Sequence, residues 1–117
     1  MRNLWFLVFA LWLQSAAGAA VPDLVCQELR VIQVDPRSLQ VQESESRTLY
    51  RFKSGNLYLS SPDRAEYLYN TVIEVEPMRY VSGHKTLQFE SADFRTAIFV
   101  HSYRDEVRVS RANCMRA

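Results

Sequence analysis

The sequence predicts an all-β protein, a small antiparallel meander closed into a barrel, with a two-sheet β-sandwich as the alternative architecture. From Val25 onward, apolar and polar residues alternate with a period of two, which is the spacing of half-buried strands. Residues that favour turns recur at about eight- to twelve-residue intervals, as in small all-β domains. No stretch shows the periodicity of an amphipathic helix. The 117 residues suffice for one domain.

The first residues have the features of a secretory signal peptide. Arg2 supplies the positive start, residues 4–13 form an uncharged apolar run, and residues 17–19 fit the small-x-small cleavage pattern. The apolar run has about half the length of a membrane-spanning helix, which favours cleavage over an anchor. We therefore predict a signal peptide at 1–19, a single all-β domain at 20–117, and a secreted or periplasmic protein without a membrane span.

The charge balance excludes binding modes that depend on bulk electrostatics. The chain has 14 basic and 13 acidic side chains, and loss of Arg2 with the signal peptide makes the two counts equal. Nucleic-acid binders and proteins of anionic membrane surfaces carry a clear basic excess. We therefore expect no nucleic-acid partner.

The two cysteines allow one pairing, between Cys26 and Cys114. In an oxidising compartment an even number of cysteines indicates a disulfide. Such a bridge would join the first predicted strand to the last and restrict the unfolded chain by on the order of 4 to 5 kcal/mol. Terminal strands are neighbours in a closed barrel, so this pairing favours the barrel over the sandwich, although a sandwich can also bring its ends together.

Alternation and turn residues together predict nine strands. Their ranges are 25–34, 38–43, 47–53, 57–60, 66–76, 78–82, 85–91, 96–102 and 106–111. Residues 36–46, with Pro36 and a polar run at 42–46, fit a short helix or an exposed loop equally well. In the long strand 66–76 the odd positions form a nearly continuous apolar stripe, comprising Tyr67, Tyr69, Thr71, Ile73 and Val75.

Three hairpins sort these strands into faces. A two-residue turn at Gly55 and Asn56 pairs Phe52 with Leu59 and separates an apolar face from a polar one. The apolar face is then Tyr50, Phe52, Leu57 and Leu59, and the polar face is Arg51, Lys53 and Tyr58. A turn at Gly83 and His84 places Tyr80 opposite Leu87. A third turn, at Arg104 and Asp105, predicts an inward face of Ile98, Val100, Val107 and Val109.

Catalytic and metal-binding chemistry have little support in the sequence. The components of an acyl-transfer site exist, but no nucleophile elbow accompanies them. These components are Ser60, Ser61, His84, His101 and either Asp63 or Asp105. The spacing of the two histidines matches no zinc motif, and no calcium-binding loop is present. We expect a protein that is not an enzyme and that holds neither a metal nor another cofactor.

Surface binding is the better supported class. Aromatic residues and arginines, which are typical of contact patches, occupy predicted outward positions of two hairpins. These positions are Arg51, Lys53 and Tyr58 on the first hairpin, and Phe99, His101, Tyr103 and Arg108 on the last. Alternatively, Tyr58 covers the stems of Arg51 and Lys53 as a cross-strand pair, and Phe99 packs under a loop.

A signal peptide, a cysteine near each end and a short β-meander are similar in layout to the small periplasmic lysozyme-inhibitor barrels of bacteria. Residues 79–83, Arg-Tyr-Val-Ser-Gly, contain the residue types of the serine-glycine loop of that family in a different order. The tryptophan and lysine-glycine elements that follow that loop do not occur in residues 86–90. The resemblance is architectural, and no inhibitory residue is carried over to this chain.

The leading functional hypothesis is a secreted or periplasmic, non-catalytic binding module that recognises a protein or a cell-envelope component through the outward faces of its hairpins. Strong strand patterning without a chemical motif is its basis. The alternatives are an inhibitor of lysozyme or another hydrolase, which the architectural resemblance implies, and a small hydrolase.

Overall fold

The structure, a computed structural model, describes residues 21–117, so the predicted signal peptide lies outside the described part of the chain. The described residues form strands and turns and contain no helix. The strands are β1 (Leu24–Val34), β2 (Val41–Glu45), β3 (Leu49–Lys53), β4 (Asn56–Ser61), β5 (Arg64–Thr71), β6 (Ile73–Glu76), β7 (Arg79–Ser82), β8 (Lys85–Phe89), β9 (Thr96–Tyr103) and β10 (Glu106–Arg116).

All ten strands belong to one antiparallel sheet that curls into a half-barrel. The strand order is β5-β4-β3-β1-β10-β9-β8-β7-β6, and β2 pairs with the far end of β1. The two edges, β5 and β6, are consecutive in the chain and are joined through Val72. The Val72 amide donates a hydrogen bond to the Gly55 carbonyl oxygen at 2.8 Å. The all-β meander is thus confirmed, as one curled sheet rather than two packed sheets.

The predicted disulfide links the two terminal strands. Cys26 and Cys114 face each other in the β1–β10 ladder, with their Cα atoms 4.0 Å apart and a sulfur–sulfur distance of 2.04 Å. These strands lie at the centre of the sheet, where β1 and β10 pair along most of their length. The first and last strands are therefore neighbours, as the barrel prediction requires.

The first hairpin has the predicted faces but a different turn. Tyr50, Phe52, Leu57 and Leu59 point inward, whereas the turn residues are Ser54 and Gly55, so that Phe52 pairs with Leu57. Both turn residues have positive φ, 52° and 77°, which suits the tight turns of hairpins. The register is shifted by two residues from the prediction, and a shift of two preserves the face of every side chain. The second hairpin has the predicted register, with Tyr80 opposite Leu87.

The third hairpin turns at Arg104 and Asp105 as predicted, but its faces are inverted. Ala97, Phe99, Ser110 and Ala112 point inward and are buried, while the predicted inward residues lie on the other face and are only partly buried. Phe99 is 2% exposed, so its predicted outward position is wrong. The small side chains of Ala97, Ser110 and Ala112 leave room on this face for the aromatic rings of Phe89 and Phe99.

Two further segments differ from the prediction. The long strand 66–76 is interrupted at Val72, so its halves β5 and β6 form opposite edges of the sheet. Tyr67 and Tyr69 point toward the interior, but Ile73 and Val75 are exposed, which ends the predicted apolar stripe. Within 36–46, the structure has strand β2, whose five residues are all exposed.

The interior changes from apolar to polar along the strands. At one end, Leu24, Phe52, Leu57 and Phe89 form a fully buried cluster with Phe99 and Leu87. Toward the other end, the same faces of β1, β8, β9 and β10 carry Glu28, Lys85, His101 and Arg108. This polar end is where the half-barrel has a pocket.

Candidate functional site

Neighbouring strands place three basic side chains in one row. Lys85 at the start of β8 pairs in register with His101 of β9, and His101 pairs with Arg108 of β10. The inward alternation of each strand directs these residues to the concave face, beyond Leu87 and Phe99. The row is thus a direct consequence of hairpin register.

The row forms one wall of a pocket of about 240 Å³, here called the concave pocket. The opposite wall comes from β4 and β5, and Glu28, Thr48 and Tyr50 complete the lining. The residues of the opposite wall are Leu59, Ser60, Ser61, Arg64, Tyr67 and Tyr69. Lys85, Arg108 and Arg64 are cationic and Glu28 is anionic, so the lining carries an excess of positive charge.

Glu28 is buried, with 4% of its surface exposed, and its carboxylate accepts three hydroxyl hydrogen bonds. Ser46 donates to Oε1 at 2.6 Å, while Ser110 and Tyr50 donate to Oε2 at 2.6 and 3.0 Å. Burial and the Glu28 charge raise the pKa of Tyr50, which keeps its hydroxyl protonated as a donor. Hydroxyl donors on both oxygens compensate much of the cost of burying this carboxylate.

Lys85 is buried almost as deeply, with 6% exposure, but has fewer partners. Its Nζ lies 3.4 Å from Nδ1 of His101, and 5.3 and 5.4 Å from the ring centroids of Tyr50 and Tyr69. Because an ammonium only donates, Nδ1 is the acceptor and the neutral imidazole carries its proton on Nε2. Burial lowers the pKa of Lys85 from its usual 10.5, and the Arg108 charge acts in the same direction.

His101 and Arg108 are less enclosed. Burial and then the Lys85 charge lower the pKa of His101 from its usual 6.5. The Arg108 Nε lies 3.6 Å from Glu106 Oε1, at a partly exposed ion pair beside the pocket. Both side chains line the pocket and are more exposed than Lys85.

Tyr69 connects the two sides of the half-barrel. Its hydroxyl accepts a hydrogen bond from the His84 amide at 3.1 Å, across the gap between β5 and the β7–β8 turn. Gly83 of that turn has a φ of 56°, and a Cβ there would lie 2.9 Å from the same hydroxyl oxygen. The close contact between the β7–β8 turn and Tyr69 thus holds the β5 wall of the pocket in position.

The predicted contact residues are divided between two faces. His101 and Arg108 line the concave pocket, and Tyr103 packs on His84 with ring centroids 4.4 Å apart. Arg51, Lys53 and Tyr58 lie on the convex face. There, Arg51 pairs with Glu66, and its guanidinium carbon lies 5.0 Å from the ring centroid of Tyr58. This is the cross-strand arrangement considered as the alternative for Tyr58. The predicted residues therefore do not form one patch.

Sequence reasoning missed Glu28, Lys85 and Tyr69. The signal was present, because Glu28 continues the inward alternation of Leu24 and Cys26, and Lys85 that of Leu87 and Phe89. A charged residue at an inward position was the indication of a polar pocket. Glu28 also precedes a β-bulge between Glu28 and Val31, beyond which the strand pairing shifts.

Nucleophiles and bases share the pocket without being joined. Ser60, Ser61 and His101 all line it, but within residues 21–117 no hydrogen bond links either serine hydroxyl to His101.

Residues 21–117 contain no cluster of three or more potential metal ligands and no helix that could cross a membrane. The disulfide is compatible with an extracellular or periplasmic protein. Comparisons of the chain with protein-family models, characterised proteins and solved structures find no match.

Proposed function

We propose that the protein is a secreted or periplasmic, non-catalytic binding module that takes its ligand into the concave pocket. The observation that carries this proposal is the row of Lys85, His101 and Arg108 at the polar end of the half-barrel interior, beyond its apolar core. Lys85 of this row is buried, and a buried charge with few partners destabilises a fold, so an apolar residue would serve stability better at this position. Such a costly arrangement beside a pocket is typical of a binding site.

The pocket size limits what is bound there. Its volume of about 240 Å³ is below the roughly 300–1,000 Å³ of sites for drug-sized ligands. It therefore suits a small molecule or one chemical group that projects from a larger cell-envelope component. Both possibilities agree with a partner of the envelope or the extracellular space.

The test compares the concave pocket with the convex face. Ser61→Trp would place an indole in the pocket, while Arg51→Ala and Tyr58→Ala alter the convex face. Binding of fractionated small molecules from envelope extract is followed by amide chemical shifts of the isotopically labelled, oxidised protein. We expect shifts clustered around the pocket, a loss of binding in Ser61→Trp, and full binding in Arg30→Ala, an exposed charge control. Binding that survives Ser61→Trp but is lost in Arg51→Ala or Tyr58→Ala would contradict the proposal.

A further inference from the structure

The ammonium group of Lys85 has unused hydrogen-bonding capacity inside the pocket. It has three N–H donors, and among the described residues its hydrogen bonding is limited to the 3.4 Å contact with His101. The tyrosine rings offer a cation–π contribution, each more than 5 Å away. A buried cation with free donors is costly unless an anion approaches it.

Glu28 does not fill that role directly. Its oxygens already accept hydrogen bonds from Ser46, Tyr50 and Ser110, and within residues 21–117 no ion pair shorter than 4.0 Å involves Lys85. The carboxylate contributes a favourable but longer-range attraction to the ammonium. The hydroxyls around Glu28 hold it in place, and the donors of Lys85 remain available to the pocket.

We propose that the concave pocket binds an oxyanion group, a carboxylate or a phosphate, with Lys85 as its central donor; this inference rests on the proposed binding function. Arg108 lies on the same wall, opposite His101 on the neighbouring strand β10. Its guanidinium has further N–H donors besides the Nε that faces Glu106. Arg64 approaches from the opposite side, with its guanidinium carbon 3.7 Å from the Tyr67 ring centroid. Donors from both walls of the pocket match the several oxygens of such a group.

His101 adds a proton-linked component to this site. In the ligand-free pocket its Nδ1 accepts from Lys85, and the charges of Lys85, Arg108 and His84 oppose its protonation, while Glu106 favours it. A bound anion would offset those positive charges and favour the imidazolium form. Anion binding is therefore expected to be coupled to proton uptake by His101 at pH values between its pKa in the free site, which is lowered from 6.5, and its higher pKa in the occupied site.

The experiment measures thermal stabilisation and amide shifts of the oxidised protein on titration with inorganic phosphate, sulfate and acetate, with ionic strength held constant by chloride. Lys85→Met keeps the side-chain length without the charge, and Arg108→Gln removes the second positive charge. Arg30→Gln, whose partner is Glu43 on the exposed β2, is the charge-matched control. We expect saturable stabilisation by at least one oxyanion, about tenfold or more weaker binding in Lys85→Met, and unchanged binding in the control.

The outcomes separate the two proposals and the two ligand sources. Preference for phosphate and sulfate assigns the site to phosphate-type groups, and preference for acetate assigns it to carboxylates. Stabilisation by oxyanions no greater than by chloride, or binding that persists in Lys85→Met, would overturn the oxyanion assignment. If envelope ligands still bind and Ser61→Trp still abolishes that binding, the proposed function stands without it. If Ser61→Trp also has no effect, the proposed function itself is wrong.

Discussion

Glu28 and Lys85 are buried charges of opposite sign that are stabilised to different degrees. Glu28 accepts three hydroxyl hydrogen bonds, whereas Lys85 contacts one ring nitrogen. The hydroxyl hydrogen bonds to Glu28 compensate much of the hydration energy that a carboxylate loses on burial, whereas the unused donors of Lys85 have little such compensation. The electrostatic cost of the ligand-free pocket therefore lies mainly at Lys85 and its neighbour His101.

This imbalance predicts a specific acid sensitivity. The folded-state pKa of His101 is lowered from 6.5, so between these two values the unfolded chain binds more protons than the folded one. The free energy of unfolding therefore decreases as the pH falls through this window. We expect a smaller decrease in His101→Gln, measured by urea unfolding in chloride buffers at about pH 7 and about pH 5.5. An equal decrease in both proteins would show that His101 is not the responsible group.

At the scale of strands, the sequence predicted where elements lie better than which way they face. The faces of the first two hairpins were predicted correctly because most of their large apolar residues lie on one face. In the third hairpin both faces carry apolar residues. In the structure, His101 and Arg108 lie on the concave side, and Ile98 and Val100 lie on the convex side. A period-two pattern cannot choose between two faces that both carry apolar residues, and the structure has the face of Phe99 inward.

The β7–β8 turn gives a prediction at this scale, because Gly83 has a matched control in Gly55. Both glycines have positive φ, but a Cβ at Gly83 would meet the Tyr69 hydroxyl at 2.9 Å, whereas one at Gly55 would have no atom within 4 Å. Gly55→Ala should cost about 1 kcal/mol of stability from backbone strain. Gly83→Ala should cost about 1 kcal/mol more, because Tyr69 must move and its bond to the His84 amide is lost.

Chemical denaturation of the two variants measures this difference. Tyr69→Phe, which removes only the hydroxyl, should account for most of it. Equal destabilisation by the two alanine substitutions would show that the contact between the turn and β5 contributes nothing to the closure of the half-barrel.

At the scale of the whole molecule, the first and last strands of residues 21–117 form the centre of the sheet. Pairing of β1 with β10 joins segments at opposite ends of the domain, and every other ladder of the described strands joins neighbours along the chain, apart from the short β1–β3 ladder. Closing such a long loop costs entropy before the central contacts form. The Cys26–Cys114 disulfide removes much of that cost because it links the same two strands.

The Cys26–Cys114 disulfide should contribute a large part of the stability of the domain. In the chain-entropy estimate, a loop of this length is worth about 4 to 5 kcal/mol, a large part of the roughly 5–15 kcal/mol that stabilises a typical domain. We expect reduction of the disulfide, or Cys26→Ala with Cys114→Ala, to lower the urea midpoint strongly and to slow refolding, as measured by far-ultraviolet circular dichroism. Because β10 borders the pocket row through Arg108, oxyanion binding should be lost at lower urea concentrations than in the oxidised protein. A reduced protein that refolds at the same rate and unfolds at the same midpoint would mean that the central β1–β10 ladder assembles without its covalent link.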